Sequence, residues 1–143
     1  MADIASVTAK VQSIITNNFN NVSLLHGGGF SLRNGSARGI VEVQPFAEES
    51  VKVMVISPFL YKVVPSPELF EWVALNGGGY HFGFITAIKV DDGSTTLSFE
   101  YSLLGDYLDE GELVNAILAV LSAANKIDDE LKAKFGGEMA YED

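Results

Sequence analysis

The chain has 143 residues, a length that fits one domain with a core of its own. It contains no cysteine, which excludes disulfides, thiolate metal sites and thiol nucleophiles. The formal net charge is −10, and no run of basic residues offsets it, so binding to nucleic acid is not expected. We predict a single domain over residues 1–137, followed by a loose acidic tail over residues 138–143.

Neither secretion nor a membrane is indicated. The first ten residues carry an acid early and lack the basic and continuous apolar regions of a signal peptide. The most apolar stretch, residues 113–124, is about a dozen residues long, whereas a bilayer span needs about 20. We therefore expect a cytoplasmic protein without a membrane partner.

The first predicted element is a helix that Asp3 caps. It should end in the asparagine-rich run 17–21, because asparagine side chains compete for backbone hydrogen bonds. Its apolar residues recur about every 3.6 positions and so share one face: Ile4, Val7, Val11, Ile14, Ile15 and Phe19.

Three strands are predicted next, where the apolar period changes to two. Residues 30–33 and 38–44 alternate on either side of Asn34-Gly35 and predict a hairpin. Residues 51–56 predict a third strand with its valines on one face. An irregular segment is expected between Pro58 and Pro65.

A short helix and a second hairpin follow. Ser66-Pro67-Glu68 predicts a helix start, and the glycines 77–79 predict its end. Residues 80–90 and 97–103 alternate around the turn 91–94. The apolar face of this hairpin is expected to hold every second residue: Tyr80, Phe82, Phe84, Thr86, Ile88, Val90, Leu97, Phe99, Tyr101 and Leu103.

The last predicted element is a long helix that begins after Asp109 and ends at Gly136-Gly137. Its buried stripe is expected to contain Leu113, Ile117, Val120 or Leu121, Ala124, Leu131 and Phe135. The order α-β-β-β-α-β-β-α predicts an α+β fold. In it, an antiparallel sheet packs against N- and C-terminal helices, with a short helix in the middle.

No residues are predicted to be catalytic, metal-ligating or cofactor-binding. The acidic clusters 91–92, 109–110 and 128–130 fall at a turn, a helix start and a predicted solvent face, although a divalent-cation site there stays open. His26 and His81 are far apart in the sequence; they could still meet in space, but no third ligand is evident. The glycine triplets lack the Gly-Lys-Ser/Thr ending of a phosphate loop.

A group of aromatic residues surrounds the short helix. One interpretation is core packing, and the other is a surface that binds a partner, since tryptophan and tyrosine are enriched at the centres of interfaces. The residues predicted to bind a partner are Phe59, Tyr61, Phe70, Trp72 and Tyr80.

Residues 98–113, SFEYSLLGDYLDEGEL, followed by IDDEL at 127–131 and FGG at 135–137, resemble the YbjN family of bacterial sensory transduction regulators. Its members are similar in fold to type III secretion chaperones. The resemblance implies a non-enzymatic, often dimeric, chaperone-like or adaptor domain that binds a polypeptide partner in regulation or secretion. It supplies no catalytic residues.

The sequence therefore supports two hypotheses about function. The preferred hypothesis is a cytoplasmic protein-binding module. The alternative is a small-ligand sensor or a minor enzyme with a pocket between the sheet and the short helix, and with Trp72, Tyr80 and His81 near its mouth.

Overall fold

The computed structural model describes residues 3–139. It contains three helices and seven strands in these residues. The elements are α1 (Ile4–Asn18), β1 (Ser23–Leu24), β2 (Phe30–Asn34), β3 (Ala37–Phe46), β4 (Ser50–Val63), α2 (Pro67–Asn76), β5 (Phe84–Lys89), β6 (Thr95–Leu104), α3 (Glu110–Phe135) and β7 (Glu138–Met139). This is the predicted α+β architecture, with two added strands of two residues each, β1 and β7.

All strands belong to one antiparallel sheet in the order β1-β2-β3-β4-β6-β5, and β7 also pairs with β4. One face of the sheet packs against α1 and α3. The alternating valines at 51, 53 and 55 point into this core, as the period of two predicts. The helix side of the core consists mainly of Val7, Val11, Ile15, Leu113, Ile117, Val120, Leu121 and Leu131.

The predicted helix starts are confirmed. The side chains of Asp3, Ser66 and Asp109 each accept a hydrogen bond from a backbone N–H of the first turn, and Pro67 opens α2. Gly77 and Gly136 provide the predicted ends of α2 and α3.

The prediction of an irregular segment after Pro58 is wrong, because β4 continues through it to Val63. Pro58 lies beyond the end of the pairing with β3, and the register against β6 shifts between Pro58 and Leu60. A sheet tolerates proline at such an irregular edge position, where a missing N–H costs little.

The first strand of the second hairpin also differs from the prediction. Gly83 adopts a positive φ of 90°, and β5 begins only at Phe84, so Tyr80 and Phe82 lie in a loop. The core-facing residues are Ile85 and Ala87, which oppose Phe99 and Leu97. Phe84 and Ile88 are exposed, so the predicted face of this strand is inverted.

Asp128 was expected on a solvent face and is instead buried. One of its carboxylate oxygens lies 2.7 Å from the Ser36 hydroxyl, and the other accepts the N–H of Asp129 at 2.7 Å. The amide of Asn125 donates to the Asn34 carbonyl at 2.8 Å. Asp128 lies one turn after Ala124 and so falls on the buried stripe of α3, although its charge led to the prediction of a solvent face. The contact between Asp128 and Ser36 connects α3 to the β2–β3 turn.

The acidic tail was expected to be loose from Glu138 onward. Glu138 and Met139 instead form β7, which pairs with Tyr61 and Leu60 of β4. Residues 140–143 lie outside the described residues.

Candidate peptide-binding groove

The five aromatic residues predicted to bind a partner are not equally accessible. Phe59 is fully buried in the core, so it offers no surface to a partner. Tyr61, Trp72 and Tyr80 are half-buried, and Phe70 is exposed on α2. A role in partner binding stays a prediction for these four residues.

The aromatic group does not form a single cluster. Trp72 contacts Phe135 at the end of α3, with ring centroids 6.4 Å apart, and the Lys134 ammonium lies 5.7 Å from the Trp72 ring. Tyr80 packs edge-on against Phe99 of β6 at 4.8 Å. Trp72 and Tyr80 therefore lie in two separate contacts, one with the end of α3 and one with β6.

A groove of about 790 Å³ lies between β6 and the first half of α3. Its walls are mainly apolar. They are formed by Phe82 of the loop before β5, Tyr101 and Leu103 of β6, and Leu118 of α3, together with Glu112, Asn115 and small residues. A second groove of about 390 Å³ shares Ala119 and Ser122 with the first, and extends it to Tyr80, Lys126 and Glu130. The two form one elongated depression along α3.

The edge of β6 above this groove is open. The pairing of β5 with β6 ends at Phe84 opposite Glu100, whereas β6 continues to Leu104. Within the described residues, Tyr101–Leu104 therefore pair only with β4. Their other edge is free to accept backbone hydrogen bonds from an added strand. We call the side of Tyr101–Leu104 that does not pair with β4 the open β6 edge.

The electrostatics of this region are acidic. On the sheet face opposite the helices, at the point where the pairing of β5 with β6 ends, burial raises the pKa of the Glu100 carboxyl, and the nearby Glu42 carboxylate adds to the shift. Burial also raises the pKa of Tyr80, with Glu130 contributing. A cationic side chain in the groove would be favoured by Glu112 at one end and Glu130 at the other.

The other acidic clusters have structural partners in the fold. Asp92 accepts the Ser94 N–H at 2.8 Å and forms an ion pair with Lys62, and Asp109 caps α3. Both histidines are exposed. Over residues 3–139, no group of three metal-ligating side chains is assembled.

The alternative ligand pocket was expected between the sheet and α2. Tyr80 does line a groove, but the opposite wall of that groove is α3. Sequence reasoning missed the main groove because its walls come from three segments, 82, 101–103 and 111–122, that no spacing rule connects. One signal was available in the sequence: Leu118 is apolar but lies off the predicted buried stripe of the long helix, and the structure shows that it is exposed.

Comparison with known proteins identifies the family. A family model described as "T3SS (YopN, CesT) and YbjN peptide-binding chaperone 1" matches residues 5–143. No curated protein matches the chain. In the described residues, the structure has no helix that is both long and apolar enough to span a membrane.

Among solved structures, a chain in "Crystal Structure of the ExsC-ExsE Complex" is similar, with a TM-score of 0.62 and 15% sequence identity. The match covers 85% of this chain and 93% of the other. At this identity the similarity shows the fold alone. It agrees with the type III secretion chaperone-like fold that the resemblance implied.

The residues that carry the YbjN resemblance form β6 and α3, the two walls of the groove, and the match to the family model extends over nearly the whole chain. The resemblance is confirmed, and the chain belongs to the family of T3SS and YbjN peptide-binding chaperones.

Proposed function

We propose that this protein is a non-enzymatic chaperone or adaptor that holds an extended polypeptide segment in the groove between β6 and α3. The observation that carries the proposal is the open β6 edge directly beside an apolar groove. An added strand would gain backbone hydrogen bonds from residues 101–104, and every second side chain would enter the groove.

The groove also defines the chemistry of the segment. Tyr101, Leu103 and Leu118 provide apolar contacts, so the inward residues of the segment are apolar. Glu112 and the net charge of −10 favour basic residues at its flanks. The depression follows α3 from residue 111 to residue 130, about 28 Å at the helical rise, which accommodates roughly eight extended residues.

The proposal includes a cytoplasmic homodimer. Support comes from the sheet face opposite the helices, where Phe84, Ile88 and Leu104 are exposed on a single face by their register. Apolar side chains on such a face are typical of protein interfaces. Sedimentation equilibrium of the wild type and of Phe84→Glu tests this part, because a dimer through this face dissociates in the variant.

The experiment that tests the function is affinity capture from lysate of the source organism, at low and at moderate salt. Leu118→Glu places a charge in the groove at an exposed position, and Leu24→Glu is the control, because Leu24 is exposed on β1 outside the groove. Phe70→Glu probes the predicted aromatic surface on α2. We expect one stoichiometric polypeptide to be retained by the wild type and by Leu24→Glu, and lost from Leu118→Glu.

Three results would contradict the proposal. Retention of the same polypeptide by Leu118→Glu would exclude the groove, and loss only from Phe70→Glu would move the site to α2. A monomer that captures no polypeptide would favour the small-ligand alternative, which a thermal-shift screen of metabolites and divalent metals then tests.

A further inference from the structure

A second strand edge lies on β4. The pairing of β3 with β4 ends at Ile56, and β4 continues for seven residues to Val63. On that side, residues 57–63 meet one strand among the described residues: β7, which pairs at Leu60 and Tyr61. We call residues 57–63 the distal β4 edge.

In the part of the chain that the structure describes, the strand that covers this edge is short and follows two glycines. Its described residues are Glu138, which is exposed, and Met139, which packs against the core. Gly136 and Gly137 precede it with φ values of +75° and +94°. A Cβ on Gly137 would lie 2.7 Å from the Tyr61 carbonyl oxygen and 2.8 Å from Val63 Cγ2. Because α3 has already ended at Phe135, β7 can leave without unfolding that helix.

The register of β7 shows which chemistry this edge accepts. Met139 packs its side chain against the core opposite Leu60, while Glu138 opposes Tyr61 next to Lys62. The pKa of Lys62 is raised, first by Asp92 and also by the carboxylate of Glu138, which places that carboxylate in the field of the ammonium group. The edge thus holds an acidic residue followed by a large apolar one.

We propose that the distal β4 edge is a second docking site for an extended polypeptide segment with an acidic–apolar pair, and that β7 is a removable cover which occupies it. This goes beyond the proposed function, because it assigns another surface with the opposite charge preference, and it stands if the groove does not bind. An incoming strand must displace β7, which is tethered to the same chain. The apparent affinity of the incoming strand is therefore its intrinsic affinity multiplied by the fraction of time that the edge is uncovered.

The test is an NMR titration of the ¹⁵N-labelled full chain with a synthetic peptide of its own residues 136–143. Gly137→Ala releases β7, since the added methyl group meets backbone and Val63, while Gly78→Ala is the matched control in open space. We expect amide shifts at residues 57–63 in Gly137→Ala at an apparent Kd at least fivefold lower than in the wild type and in Gly78→Ala. The peptide carrying Glu138→Lys should bind at least threefold more weakly.

Two outcomes would overturn the proposal: equal affinities for all three proteins, or shifts confined to residues 101–104 and the groove. If the Gly137→Ala variant unfolds, Met139→Ser is used in its place. This substitution removes the side chain that packs against the core and leaves Gly136 and Gly137 unchanged. An unaltered affinity for the Glu138→Lys peptide would overturn the acidic–apolar preference. Shifts at residues 57–63 and at 101–104 are scored separately, so this site and the groove can fail independently.

Discussion

The central strands β4 and β6 each extend beyond a neighbouring strand, and the two edges that this leaves differ in whether another strand covers them. Beyond Glu100, β6 has an open edge beside an apolar groove, whereas beyond Ile56 the edge of β4 is covered by two residues of β7. A glycine with positive φ stands at each place, Gly83 before β5 and Gly137 before β7. Within the described residues, one sheet therefore leaves one strand edge uncovered and covers another.

The largest expected effect comes from replacing Gly83. A Cβ there would lie 2.6 Å from both the Glu100 carbonyl oxygen and Phe99 Cε1, on a backbone with φ of +90°. Because it displaces a core strand, we expect Gly83→Ala to lower the free energy of unfolding by about 2–4 kcal/mol. Gly137→Ala should cost about 1 kcal/mol or less, because it releases only β7. Urea denaturation measures both, and equal losses would contradict the distinction.

The next effect concerns Asp128, which connects α3 to the β2–β3 turn. Asp128→Ala removes the buried carboxylate that lies between the Ser36 hydroxyl and the Asp129 N–H, and should cost about 1–3 kcal/mol. Asp129→Ala is the matched control, since Asp129 is exposed and should change stability by less than about 0.5 kcal/mol. The same denaturation experiment applies, and an equal effect of the two variants would exclude the anchoring role.

Amide exchange should distinguish β7 from the rest of the sheet. We expect residues 138–139 to exchange at least about tenfold faster than residues 97–99, since Glu138 is exposed on a strand outside the main strand order, whereas residues 97–99 are buried in the core. NMR-detected exchange of the wild type measures this. Exchange of β7 as slow as that of β6 would mean that the cover is a permanent part of the sheet.

The smallest effect is the pH response of Glu100, at the point where the β6 edge opens. Its raised folded-state pKa means that the protonated form is favoured in the folded protein. Its contribution to stability is therefore complete below the unfolded-state pKa, and is lost as pH rises through the folded-state pKa. Glu100→Gln should remove the loss of unfolding free energy that this carboxyl causes as pH rises above the ordinary glutamate pKa of about 4.3. An unchanged slope would contradict this assignment.

Much of the fold could be predicted because its signals are local. The caps Asp3, Ser66 and Asp109 and the alternating valines of β4 each depend on residues within one turn or one strand. The errors arose where distant contacts decide. Proline is tolerated at position 58 because β3 has already ended, and Asp128 is buried because Ser36 lies opposite it.

The candidate site was less accessible to sequence reasoning. Family resemblance led to a polypeptide partner, and the aromatic residues suggested α2 as the surface. The groove depends on β5 beginning four residues later than its alternation indicated, since that delay leaves Tyr101–Leu104 without a strand on one side. Strand ends follow from tertiary pairing, which periodicity alone does not reveal.

Pro58 also bears on the solubility of the protein. It has no N–H, and it stands within the stretch of β4 that β3 leaves uncovered. A second molecule that approached this edge would find an interrupted row of donors, and the nearby shifts in register would bend the row further. A short segment of two or three residues still fits beside Leu60 and Tyr61. The proline therefore protects a chain with 48% apolar residues against edge-to-edge aggregation, while it leaves room for brief pairing.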